Sequence, residues 1–167
     1  MIINNVQNLI LEIDLNKDNN YELNFDKWIS GENKILYITG LMGSGKSTFS
    51  IELSKEYNCK LIELDGFTKF SQSEKELNDE LFIELFIRRL NDIIRNYDRV
   101  IVEGVQIMSF NNFHIHIKDT DSVLIINTSL IKSTFRSIKR DGLTQLFNNI
   151  MSNLEFNKEK NKFISNF

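Results

Sequence analysis

Gly40, Gly43, Ser44, Gly45, Lys46, Ser47 and Thr48 stand in the spacing G-x-x-x-x-G-K-S, behind the β-branched and aromatic run Lys34-Ile35-Leu36-Tyr37-Ile38-Thr39 and ahead of a helix-forming segment. Gly40 can end a strand in a tight turn, while Gly43 and Gly45 let the backbone wrap with its N–H groups inward. The result is a concave anion nest that side chains at those positions would obstruct. A helix beginning near Lys46 adds unpaired N–H groups and the positive end of its dipole. Lys46 supplies a mobile cation for β- and γ-phosphates, the Ser47 hydroxyl is the right group to ligate Mg²⁺, and Thr48 can hydrogen-bond an α-phosphate. A glycine turn that fits the pattern by chance is the alternative, and the strand before it and helix after it weigh against that. The expected ligand is ATP with Mg²⁺.

Two acids belong to the same chemistry. Asp65 follows the strand read at Cys59–Leu64, and Glu103 closes the apolar strand that begins at Arg99. In an open parallel sheet the ligand lies at the carboxyl ends of the strands, so both acids should face one crevice with the glycine loop. One carboxylate then serves the Mg²⁺ shell and the other accepts or orients the proton of an attacking hydroxyl. Asp65 is assigned as the base, and Glu103 as the partner, with Ser47, of Mg²⁺ or of the substrate. Taken singly, each could be only a turn residue, since Asp-Gly and Glu-Gly both turn well. Further on, Lys132, Arg136, Lys139 and Arg140 form a basic stripe beside Ile131, Phe135 and Ile138. Closing over the site, Arg136 and Arg140 could stabilise the charge of a transferring phosphoryl group and Lys139 could hold the nucleotide. A solvated basic face is the alternative.

Other chemistry-bearing residues read more simply. Arg88 and Arg89 form an exposed pair on a helix. His114 and His116 alternate with Phe113, Ile115 and Ile117 as the wet face of a short strand. Phe67 and Phe70 either wall an aromatic acceptor pocket or pack at the core rim. Asp14-x-Asn16-x-Asp18 is no calcium loop, because its sixth position is Asn19 and its twelfth Phe25.

The elements that must position these groups follow from the periodicity. Residues 1–33 read as an N-terminal appendage: a helix through Val6, Leu9, Ile10 and Ile13, a turn at 16–20, a short strand at Tyr21–Phe25, and Trp28 and Ile29 packing it on the core. Residues 34–157 form the main domain, with strands at 34–39, 59–64, 99–104 and 122–127. Phe49, Leu53 and Tyr57 mark the crossover helix, and Ser73 caps a long helix to Asn96 that is apolar on more than one side between Leu81 and Ile87. A basic helix ends at Asp141-Gly142, and Leu143, Leu146, Phe147, Ile150 and Leu154 sketch a last amphipathic helix. Residues 158–167 are a polar tail expected to fray.

At 167 residues this is one domain with ordinary hydrophobic content. A formal charge of −3 gives no global footprint for duplex nucleic acid or an anionic membrane, although it leaves room for a local basic site. Cys59 is the single cysteine and only two histidines are present, so neither a disulfide framework nor a zinc site is indicated. No signal peptide or membrane-length apolar run is visible. A cytoplasmic location is the expectation.

The order of Ile38-Thr39-Gly40-Leu41-Met42-Gly43-Ser44-Gly45-Lys46-Ser47-Thr48, Leu64-Asp65-Gly66, Val100-Ile101-Val102-Glu103-Gly104 and Ser137-Ile138-Lys139-Arg140-Asp141 resembles small P-loop kinases. It looks most like the uridine kinase branch, near the nucleoside monophosphate and shikimate kinases, over residues 34 to 142. The resemblance implies an α/β, three-layer P-loop NTPase with a mostly parallel sheet of four to five strands. It implies that Asp65 contacts the acceptor hydroxyl, that Glu103 serves the acceptor or Mg²⁺, and that Arg136, Lys139 and Arg140 form a lid. The segment after Glu103 matches no subfamily, the appendage is extra, and a further core strand after the lid is missing. The expected activity is transfer of the γ-phosphoryl group of ATP to a hydroxyl or phosphate of a small molecule, with a nucleoside or nucleotide favoured. A P-loop ATPase or nucleotide switch serving a protein partner, and a kinase acting on nucleic-acid ends, are the alternatives. A GTPase is not expected, since no Asn-Lys-x-Asp follows the fourth strand.

Overall fold

The structure is a computed structural model and describes residues 20–67, 79–107, 117–118, 120–128, 136 and 146–165. In chain order the elements are β1 (Tyr21–Leu23), α1 (Phe25–Ser30), β2 (Ile35–Gly40), α2 (Lys46–Glu56), β3 (Lys60–Glu63), α3 (Leu64–Phe67), α4 (Asp79–Arg95), β4 (Val100–Glu103), a 3₁₀ turn (Val105–Ile107), β5 (Ser122–Ile126) and α5 (Leu146–Ser165). The fold is α/β. Its five-stranded sheet runs β1-β5-β2-β4-β3, with β2 in the middle. β2 pairs in parallel with both β4 and β5, β3 is parallel to β4, and only β1 is antiparallel.

Unbroken apolar strands need cover on both faces, because successive side chains point to opposite sides. Leu36, Ile38, Ile101, Leu124 and Ile126 meet Phe25 and Trp28 of α1 and Phe49 and Leu53 of α2 on one face. Tyr37, Val100, Val102, Val123 and Ile125 meet Phe86, Leu90 and Ile94 of α4 and Phe156 of α5 on the other. Helices therefore flank the sheet on both sides. Among the described residues, no helix is long and apolar enough to cross a membrane.

Several elements lie differently from the sequence expectation. The short strand expected at residue 21 joins the main sheet: Tyr21 pairs with Ile125 and Leu23 with Val123, so β1 is its edge. The strand expected to run to Leu64 stops at Glu63, and Asp65 lies in the one-turn helix α3, whose Leu64 is fully buried. Among the described side chains of α4, Phe86, Leu90 and Ile94 are buried at i, i+4 and i+8, Ile87 and Ile93 pack partly buried beside them, and Leu81 is 41 % exposed; those of Phe82 and Ile83 lie outside the described ones. The last helix does not fray at Asn157 but continues to Ser165.

Of the apolar stripe read in the sequence for α5, Leu154 is the member whose side chain is described. Met151 and Leu154 are about half exposed, whereas Asn153 and Phe156 are buried and Phe163 and Ile164 pack against the core. Phe163 meets the Tyr21 ring edge-on at 6.2 Å. Lys160 donates to Asn127 Oδ1 at 2.9 Å, and its burial lowers its pKa. The helix around Val6–Ile13, the turn at 16–19, Phe70, Ser73, His114, His116, the helix of Lys132, Lys139 and Arg140, and Gly142 lie outside the described residues.

Candidate functional site

The loop from Gly40 to Lys46 leaves the carboxyl end of β2 and enters α2. Gly40 sits opposite Ile126 on β5 in such close approach that an added Cβ would meet the Ile126 carbonyl oxygen at 2.5 Å and Ser44 Oγ at 2.8 Å. Gly43 and Gly45 take φ of 81° and 95°, the left-handed region in which a side chain is strained. Gly45 is the N-cap of α2, and no side chain caps the helix. The first-turn N–H groups are thus not taken up by a protein cap, and the first turn holds no acid. Ser44 is buried, and its Oγ has no hydrogen-bond partner.

Lys46 opens α2 and is 6 % exposed, while Ser47 is half-buried beside it and Thr48 is exposed. Glu103 reaches the same place from the neighbouring strand. The register sets it beside Ile38, Gly104 N–H donates to the Ile38 carbonyl, and the side chain projects on the α2 face. Glu103 Oε1 accepts a hydrogen bond from Ser47 Oγ at 3.3 Å and lies 3.7 Å from Lys46 Nζ. Glu103 is 2 % exposed. Burial pushes its pKa above the ordinary carboxylate value, Lys46 opposes that, Asp65 and Glu63 add to it, and the Ser47 bond opposes it. Glu63 is the register partner of Glu103 on β3, and both it and Asp65 are exposed.

Of the residues singled out in the sequence, Gly40, Gly43, Ser44, Gly45, Lys46, Ser47 and Glu103 come together. Asp65 stands at the edge of this group, exposed, with one oxygen accepting from Gln106 Nε2. Arg136 Nη1 donates to the Gly43 carbonyl at 3.4 Å, so one member of the basic stripe reaches the loop. Lys139 and Arg140 lie outside the described residues. Arg88 is exposed and pairs with Glu84, as a solvated helix face does, and Arg89 is exposed.

Three participants were not read from the sequence. Asn153 of α5, 1 % exposed, accepts the Met42 N–H at 2.9 Å and ties the glycine loop to the last helix. Gln106 holds Asp65, and Glu63 adds a third carboxylate. Gln106 had a visible signal in standing three residues past Glu103 at a strand end; Asn153, 111 positions from its partner, had none.

The site's chemistry fits a triphosphate with a hard divalent ion. The loop offers main-chain donors and a buried cation, and Ser47 and Glu103 offer two oxygens side by side. Among the described residues no cage of three or more His, Cys, Asp or Glu side chains occurs. Mg²⁺ does not need one, because it is held by one or two protein oxygens together with phosphates and water. No protein-family model and no curated protein matches the chain.

Proposed function

We propose that this chain is a small P-loop kinase with the three-layer P-loop NTPase fold, transferring the γ-phosphoryl group of ATP to a hydroxyl of a small molecule. The observation that carries the reading is the meeting of Lys46, Ser47 and Glu103 at the mouth of an uncapped glycine loop. Burying a Lys–Glu pair adds little net stability, so its retention is better explained by chemistry.

In this reading the loop N–H groups and Lys46 hold and polarise the β- and γ-phosphates. Ser47 and Glu103 would hold Mg²⁺, which supplies positive charge to the phosphate oxygens when bound. The acceptor oxygen bonds to the γ-phosphorus while its proton passes to the Asp65 carboxylate. The bond from that phosphorus to its bridging oxygen breaks, and ADP leaves with the electron pair. Arg136, within reach of Gly43, adds a cation over the loop.

The charge on the acceptor side supports a hydroxyl over a phosphate. Glu63, Asp65 and Glu103 gather at the ends of β3 and β4, where Asp65 and Glu63 add to the rise that burial gives the Glu103 pKa. The described cations in contact with the site, Lys46 at the start of α2 and Arg136 over Gly43, stand beside the glycine loop. A second phosphate dianion beside three carboxylates would be repelled. A neutral nucleoside therefore fits better than a nucleotide.

The test is to incubate the protein with Mg²⁺ and γ-labelled ATP against pooled nucleosides, nucleotides, other metabolites and 5′-hydroxyl oligonucleotides. Label is expected on a nucleoside or other neutral hydroxyl compound. Label on oligonucleotides would move the activity to nucleic-acid ends. Label released only as phosphate would replace the kinase by an ATPase.

A further inference from the structure

Gln106 lies in the 3₁₀ turn directly after β4, and its side chain spans from that turn to α3. Its Nε2 donates to Asp65 Oδ1, joining two segments 41 positions apart. The amide lies against Gly104, where an added Cβ would run into Gln106 Oε1 and come within 2.9 Å of Leu64 Cβ. That Oε1 is buried and has no hydrogen-bond partner. Leaving a buried acceptor unpaired is unfavourable, and the position keeps it in order to point the other end of the amide at Asp65.

Asp65 needs such a hold. It is exposed and sits on a helix of a single turn, and only some carboxylate rotamers there face an acceptor beside Glu103. We propose that Gln106 is a positioning residue that fixes the Asp65 carboxylate for proton removal, with Gly104 leaving the space its amide occupies. This rests on the kinase reading above. The residue does not touch the transferred group and acts through Asp65.

A double-mutant cycle tests this, with single-turnover transfer from γ-labelled ATP to pooled nucleosides as one readout and binding of a fluorescent ATP analogue as the other. Gln106→Ala should slow transfer about 10- to 100-fold, the range expected when a reacting group is misplaced by about an ångström. Its affinity for the analogue should not change. Gln106→Glu, of equal size but with a carboxylate facing a carboxylate, should be at least as slow. In an Asp65→Asn background, removing Gln106 should cost nothing further, because the group it orients is gone. Multiplying losses in that background, a parallel fall in analogue affinity, or a Gln106→Ala protein at the wild-type rate would each overturn the proposal while wild-type transfer still stands. A wild-type protein that binds the analogue and labels no acceptor would remove the kinase reading, and this inference with it.

Discussion

Glu103 gives up nearly all of its hydration to sit between Lys46 and Ser47, and that has a measurable cost in stability. Its folded pKa is raised, burial being the main cause, so it binds its proton more tightly folded than unfolded. At low pH it is protonated in both states and carries no penalty. As pH climbs from the ordinary glutamate value of about 4.3 through the raised one, the penalty of burying the carboxylate appears in full. Stability of the wild type relative to Glu103→Gln should therefore fall with rising pH across that window and level off above it, in denaturant titrations over a pH series. A difference that grows in the wild type's favour would contradict the assignment. Lys46→Ala should lose at least about 100-fold in transfer, the scale of removing one preorganised donor to developing charge. Asp65→Asn should keep ATP affinity and lose about 10²- to 10⁴-fold in transfer, as expected for a missing general base. Normal turnover in the Asp65→Asn protein would take that residue out of the mechanism. Lys46, Ser47 and Glu103 were legible in the sequence because backbone geometry dictates them: glycines shape the loop, and a parallel neighbour brings its end residue alongside. Gln106 was not, because a flexible amide is placed by tertiary packing on Gly104 and Leu64.

Helix α5 acts on the glycine loop through one polar side chain. Removing Asn153 Oδ1 from the Met42 N–H should lower stability by about 1 kcal/mol and weaken ATP binding about five- to tenfold, if the bond's free energy passes into loop order. Leu154→Ala on the exposed face is the control and should change stability by less than about 0.5 kcal/mol. An Asn153→Ala protein that melts earlier but binds ATP normally would reduce α5 to a packing element. Among its described side chains, those of this helix that dock, Asn153, Phe156, Lys160, Phe163 and Ile164, keep helical spacing but include two polar members. An apolar pattern search stops at such residues, which is why the helix was read as ending early and as docking through Leu154. Each polar member has a tertiary partner, Met42 for Asn153 and Asn127 for Lys160, that only the folded chain reveals. The strands were easier to read. The β-branched runs of β2, β4 and β5 favour burial on both faces, whereas β1, at the sheet edge, is three residues whose pairing partner lies about a hundred positions away.

Across the whole molecule, a mostly parallel sheet has two unlike edges, and this chain uses them differently. The carboxyl ends of β2, β3 and β4 carry the glycine loop, Glu63 and Glu103. At the amino end of β4, Arg99 is stacked between the rings of Trp28 and Tyr57, 4.2 Å and 4.6 Å from their centroids, and donates to the Ile29 carbonyl at 2.8 Å. Such cation–aromatic stacking fastens α1 and α2 to the sheet well away from the chemistry. Trp28 is the chain's one tryptophan and is fully buried. Its emission should be blue-shifted in the folded protein, move to the red in denaturant, and stay in place when ATP and Mg²⁺ are added. A nucleotide-induced shift would mean that the two edges communicate. Without any added label, the indole is a built-in optical gauge of whether the chain is folded, set at the opposite end of the sheet from the glycine loop.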